Sequence, residues 1–170
     1  MTRLLGAVLV VAGCGVLGLA GVCRLDGRVR DLGELAAGLD ALQRELGWRL
    51  SPLPQALDTA ARAVRGPAAE FFTRCAQGAG AQDGQSFQQV WRDGLSAAPL
   101  RLGPGDKALL DRLGPVLGRY DGDSQRLALE DAAAGLRSLQ GEASDDRRRL
   151  GRVYGVLGMT VGLFIAILLV

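Results

Sequence analysis

Two uncharged, apolar runs stand at opposite ends of the chain, Leu4 through Cys23 and Val153 through Val170. As helices rising ~1.5 Å per residue they reach roughly 30 Å and 27 Å, against a hydrocarbon core of about 30 Å. Each is long enough to cross a bilayer, and the segment between them, Arg24 to Arg152, offers little to wrap two such helices in a soluble core. The sequence therefore predicts a transmembrane helix over 4–23, a helical domain over 24–152 and a second transmembrane helix over 153–170.

The first run has rival readings. Arg3 before an apolar stretch resembles a secretory signal, and Val11-Ala12-Gly13-Cys14 resembles a lipoprotein cleavage box. The leader before that box is very short, however, and the chain stays uncharged beyond Cys14, where a lipidated mature protein normally turns polar. Cys14 and Cys23 read as small residues buried in lipid and Cys75 as a buried thiol. Without metal-ligand spacing, and with two of the three in an apolar run, no disulfide is expected. Arg24, Arg28 and Arg30 follow the first run and Arg147, Arg148, Arg149 and Arg152 precede the second, whereas only Arg3 lies on an outer flank. That bias predicts a cytoplasmic middle with both termini outside. Gly151, Gly155, Gly158 and Gly162 share one helical stripe. Gly155, Gly158 and Gly162, inside the second run, are the candidate face for close helix packing in the membrane.

Charge and composition narrow the function classes. The chain carries 20 basic and 18 acidic residues, net +2, too even a balance to grip nucleic acid. It has no His, which excludes His-dependent triads, His-ligated metals and His pH switches. Ser51, Ser86, Ser96, Ser124, Ser138 and Ser144 thus lack a histidine base, and Lys107, the sole lysine, sits at a helix start where a solvated role is the default. The acids are dispersed over helical polar faces, without a metal-binding loop. Gly103-Pro104-Gly105-Asp106-Lys107 follows no strand and lacks the framing of a phosphate-binding loop. No catalytic, cofactor or metal site is expected, and no small-molecule substrate.

The central segment reads as an all-α bundle of about six helices. Leu32, Leu35, Leu39, Leu42 and Leu46 alternate at three and four residues, the mark of an apolar seam. Asp40 with Arg44, and Glu45 with Arg49, fall at i,i+4 on the polar face. Ser51-Pro52 suggests an N-cap before a helix with Leu53, Ala56, Leu57, Ala60 and Val64 inward. Gly66-Pro67 ends that helix and starts another, with Phe71, Phe72 and Cys75 inward, which stops in the turn Gly78 to Gly84. Ser86 opens a short helix bearing Phe87, Val90, Trp91 and Leu95. Asp106 opens the next, with Leu109, Leu110, Leu113, Val116 and Leu117, and Pro115 marks a kink or break. From near Asp123 a long helix keeps Leu129, Ala132, Ala133, Leu136, Leu139 and Ala143 on one seam. No Pro separates it from the second apolar run, so it can enter that run unbroken. No segment shows strand alternation.

Certain stretches, taken in order, resemble the stage III sporulation protein AB family of endospore-forming bacteria. They are Leu4-Leu5-Gly6-Ala7, Glu45-Leu46, Ser51-Pro52-Leu53-Pro54-Gln55-Ala56-Leu57, Gly66-Pro67-Ala68-Ala69-Glu70, and Leu117-Gly118-Arg119-Tyr120-Asp121 followed by Gln125. The last is the most specific, and the chain departs from the family mainly in its wealth of Gly, Ala and Arg. The resemblance implies a membrane component of the channel-like apparatus joining mother cell and forespore. The central domain is also similar to the helical domain of type II secretion F platform proteins, which sit beside a hexameric ATPase. Implied partners are other stage III sporulation membrane proteins and their ATPase, and the implied location is the mother-cell (outer forespore) membrane. Asp121 and Gln125, one helical turn apart, are the candidate partner contacts, although the corner they flank can equally serve only to set a helix angle. Two competing readings have distinct requirements. A two-span regulatory or signalling protein needs a polar-lined pocket for its ligand, and a hydrolase without His needs a nucleophile in a strained turn.

Overall fold

The computed structural model describes residues 26–81, 84–118 and 122–169, with 150–169 described as backbone only. Helix α1 covers 26–48. It is followed by α2 (Leu53–Ala63), α3 (Pro67–Gly80), α4 (Phe87–Ala97), α5 (Pro104–Asp111), α6 (Leu113–Leu117) and α7 (Gly122–Leu169). No strand occurs among the described residues. The all-α expectation holds, and α7 continues unbroken through Leu169.

Two compact units divide the chain, Arg28–Gly141 and a second made of Met1–Gly27 with Glu142–Val170. In the second unit, Asp26 forms an ion pair with Arg147. Among the described residues no helix is long and apolar enough to cross a membrane. The run 4–23 lies outside the described residues, as do Cys14, Cys23 and Val170.

The Arg28–Gly141 unit is a bundle closed on aromatic side chains. Leu32, Leu35, Leu39 and Leu42 of α1 are fully buried, as are Ala56, Leu57 and Ala60 of α2 and Phe71, Phe72 and Cys75 of α3. The rings of Phe71 and Phe72 lie 5.0 Å apart, and Trp91 of α4 meets Phe71 edge-on at 4.8 Å, an arrangement that suits their quadrupoles. The buried Trp91 indole N–H is satisfied by donating to the Leu110 carbonyl at 2.8 Å. Phe72 packs so closely on α1 that a Cβ at Gly38 would strike its ring. Burial pushes the Cys75 thiol up to about 12, so it stays a neutral apolar group there.

Within this unit α1 and α7 run antiparallel. Gln140 lies over Gly33, Arg137 pairs with Asp40, and the Arg126 side chain lies against Gly47. Asp40 therefore bonds across to α7 rather than to Arg44 on its own helix, while the expected Glu45–Arg49 pair forms at 3.2 Å. Other α1 carboxylates receive backbone N–H groups from turns. Asp31 accepts from Arg101 at 3.0 Å, and Glu34 accepts from Arg65 at 2.8 Å.

Several helix ends differ from the sequence reading. Ser86 does cap α4, in a capping box with Gln89. Ser51 does not cap α2: Pro52 occupies the N-cap, and the Ser51 hydroxyl donates to Glu45 at 3.1 Å. Helix α5 opens at Pro104, two residues before Asp106. The break expected at Pro115 falls earlier, after Asp111, because a proline ring clashes with the carbonyl four residues before it and Pro115 is tolerated only in the first turn of a new helix.

Asp106 shows what the third position of α5 is for. Its carboxylate is fully buried and accepts the Gly103 N–H at 2.7 Å and both Arg28 Nε and Nη2 at 2.9 Å. Burial raises its pKa, but the Arg28 hydrogen bonds, the Gly103 N–H and the Arg28 charge together outweigh that and hold the carboxyl below its ordinary value. Arg28, read from sequence as one of the positive flank residues, is thus largely committed to a bidentate fork that ties the start of α1 to α5.

Candidate functional site

At the Trp48 end of the Arg28–Gly141 unit the bundle is open. A groove of about 670 Å³ is bounded by Leu46 and Leu50 to Pro54 on one side and by Gly78, Ala79, Ala81, Gln85, Phe87 and Val90 on another. Leu117, Gly118, Gly122 and Gln125 complete it. None of the lining residues among those described is charged. Two stretches far apart in sequence, Ser51–Leu57 and Leu117–Gln125, thus contribute to one surface feature.

The groove floor belongs to the apolar seams. Leu46, Leu53 and Phe87 sit at the helical spacing of core residues, yet each is only half-buried, and all three line the groove. Elsewhere on the same stripes the neighbours Leu42, Leu57 and Trp91 are fully covered. The seams of α1, α2 and α4 therefore continue past the point where the chain's own side chains cover them.

Its rim is formed by the turn after α1. Leu50 has φ +50, a left-handed conformation normally given to Gly or Asn after a helix and costing on the order of 1 kcal/mol for another residue. That conformation reverses the chain, so that the Ser51 N–H returns to the Glu45 carbonyl at 3.2 Å. It leaves Leu50 84% exposed, beside Trp48 at 85%. Leu127, next to the Arg126 that lies against Gly47, is 61% exposed. These are the exposed large hydrophobic side chains among the described residues, and all three stand at this end.

The expected partner contacts fall here only in part. Gln125 lines the groove and donates from Nε2 to the Leu117 carbonyl at 3.0 Å, closing the corner between α6 and α7. Gly118 ends α6 with its N–H on the Gly114 carbonyl, and Asp123 lies in the first turn of α7. Asp121 lies outside the described residues. Gly155, Gly158 and Gly162 lie where only backbone is described, and that backbone is helical. Lys107 is exposed. Among the described residues no three His, Cys, Asp or Glu side chains gather as a metal site would require. Sequence reasoning missed the groove and the Arg28–Asp106 fork. The available signal for the first was Leu50, an apolar residue two positions past the last residue of α1, where Gly is usual.

Fold and groove together describe a helical protein with an open groove whose described lining carries no ionisable side chain. The family model of stage III sporulation protein AB matches residues 3–170, and the chain belongs to that family. It is 26% identical over 171 residues to the stage III sporulation protein AB of Bacillus subtilis (strain 168), covering 99% of both chains. A solved structure of stage III sporulation protein AB superposes with a TM-score of 0.66 at 22% identity, over 72% of this chain and 98% of that one, and shows the same fold. Membership supports a role in sporulation, and the family is a sporulation protein family rather than a known enzyme family.

Proposed function

We propose that this chain is a non-enzymatic, two-span membrane component of the apparatus that joins mother cell and forespore, a platform linking a cytosolic ATPase to membrane partners. The observation that carries the reading is the open groove at the Trp48 end, built in part from two of the stretches on which the family resemblance rests. A bundle whose core seams run on into an unfilled cleft is suited to receive another protein. The uncharged apolar runs 4–23 and 153–170 supply the membrane anchorage, and the arginines on both inner flanks favour a cytoplasmic bundle. Gly155, Gly158 and Gly162 give the second run a face for close helix packing with a membrane partner. Gln125, and with it Asp121, belongs to the corner where a cytosolic partner would meet the bundle.

The test is topological and genetic. Cys75 is buried with a raised pKa and is a poor reporter, whereas Gly80 is exposed with open space around it. A Gly80→Cys chain in intact cells should resist an impermeant thiol reagent and react after permeabilisation, while a cysteine added after Val170 should react at once. A strain lacking the chain should halt in spore formation after engulfment. Labelling at Gly80 without permeabilisation, or normal spores from the deleted strain, contradicts the proposal.

A further inference from the structure

We infer that the exposed hollow at the C-terminal end of α1 receives an acidic segment of another protein. A carboxylate of that segment meets the guanidinium groups of Arg44 and Arg49, and an apolar side chain beside it lies on the Trp48 ring. The inference goes beyond the platform reading and needs neither the membrane runs nor the open groove.

The hollow measures about 250 Å³ and is lined by Arg44, Glu45, Trp48 and Arg49. Its acid is already engaged. Glu45 accepts from Arg49 Nη1 with one carboxylate oxygen and from the Ser51 hydroxyl with the other, and its side chain is only 12% exposed. Arg49, at 74%, keeps most of its guanidinium open to solvent. Arg44 is open for a different reason. The carboxylate placed for it one turn earlier, Asp40, is taken across the bundle by Arg137, and Arg44 forms no ion pair among the described residues.

Trp48 stands one turn beyond Arg44 on the same exposed stripe. Trp and Arg are the residue types that concentrate binding energy in protein interfaces, and a guanidinium fork matches a carboxylate with two parallel hydrogen bonds. A cation entering the hollow would meet two arginines against one occupied carboxylate, so the matching charge is negative. The surroundings favour a protein segment over a lipid surface. The Arg126 side chain lies against Gly47, and the exposed Glu130 follows Arg126 by one turn on α7. Charges of both signs thus border this stretch of α1. A flat anionic bilayer presses on Glu45 and Glu130 as well as on the arginines, whereas a protein segment can set its acids over the arginines alone.

For the test, p-benzoylphenylalanine replaces Trp48 in the full-length chain, which keeps an aromatic ring at the site, and is irradiated in sporulating cells. The adducted peptide is then sequenced. The expected adduct lies in another protein, a few residues from an Asp or Glu. Arg44→Glu lowers its yield by about tenfold or more, and changing that acid of the other protein to Lys restores it. The control Arg112→Glu, at an exposed arginine between α5 and α6, leaves the yield unchanged. Because Arg44 has no ion pair to lose, the melting midpoint of the detergent-solubilised Arg44→Glu chain should stay within about two degrees of the native value. Adducts only to lipid, to nucleic acid or to a second copy of this chain overturn the inference. So do no adduct at all, a yield indifferent to Arg44→Glu, and a loss that reversing the acid of the other protein does not restore.

Discussion

The two ends of the α1 seam are built from the same residue type and finish differently. Leu32, Leu35, Leu39 and Leu42 lose all contact with solvent on the stretch where Gly38 lies against the Phe72 ring, whereas Leu46, one turn further on, faces an open groove. The same change occurs on α2 between Leu57 and Leu53 and on α4 between Trp91 and Phe87. Apolar spacing states where a side chain points, not whether anything covers it. The closed region is where the fold's stability resides, and the open region contributes to stability much less than its composition suggests.

The largest effect that would sharpen this contrast is expected at Trp91. Trp91→Ala empties the aromatic cluster and removes the indole N–H from the Leu110 carbonyl, and should cost about 3–5 kcal/mol, read as loss of the cooperative melting transition or a steep drop in its midpoint. Next is Arg28→Ala, which strands a fully buried carboxylate and should cost roughly 3 kcal/mol.

The Arg28–Asp106 fork also has a pH signature. Because the folded-state pKa of Asp106 lies below its ordinary value of 3.8, its contribution is complete well above 3.8 and is lost as pH falls through the folded value. Melting of the native chain should therefore weaken below about pH 4 by an amount that Asp106→Asn removes, measured against a control pH series. An identical acid limb in Asp106→Asn would show that other carboxylates carry it.

At the open end the effects shrink. Gln125→Ala loses the bond to the Leu117 carbonyl and should cost about 1 kcal/mol. If it lowers partner capture without lowering the melting midpoint, the corner is a contact site and not only a hinge between α6 and α7. Leu53→Ala should cost less than Leu57→Ala, a fully buried residue one turn away for which about 2–5 kcal/mol is expected. Equal costs at the two positions would break the distinction between closed and open ends.

Much of the closed region is legible in the sequence, because period and burial agree there. Leu32, Leu35, Leu39, Leu42, Phe71, Phe72, Cys75, Trp91, Leu110, Leu129 and Leu136 stand inside as their spacing requires. Helix ends are less legible where two local interactions compete, as at Ser51, whose hydroxyl serves Glu45 in place of the α2 terminus. Long-range polar partners are not legible at all. Nothing in the spacing of Arg28 and Asp106 joins residues 78 positions apart, and Asp40 has a suitable Arg44 on its own helix yet pairs with Arg137. The groove was hidden for a further reason, since its floor residues obey the core pattern and only the packing reveals that their cover is missing.

Leu53→Asp in the full-length chain tests the central claim most directly, that the open seam serves a partner and not the fold. Leu53 is the first residue of α2, where an acid suits the positive end of the helix dipole, so the substitution should leave the melting midpoint within about 0.5 kcal/mol of the native value. It also places a charge in a groove whose described lining is uncharged. Spore formation and melting are measured on the same variant. The account predicts an intact melting transition with spore formation sharply reduced. Normal spore formation, or a loss of stability as large as that of Leu57→Ala, would contradict it.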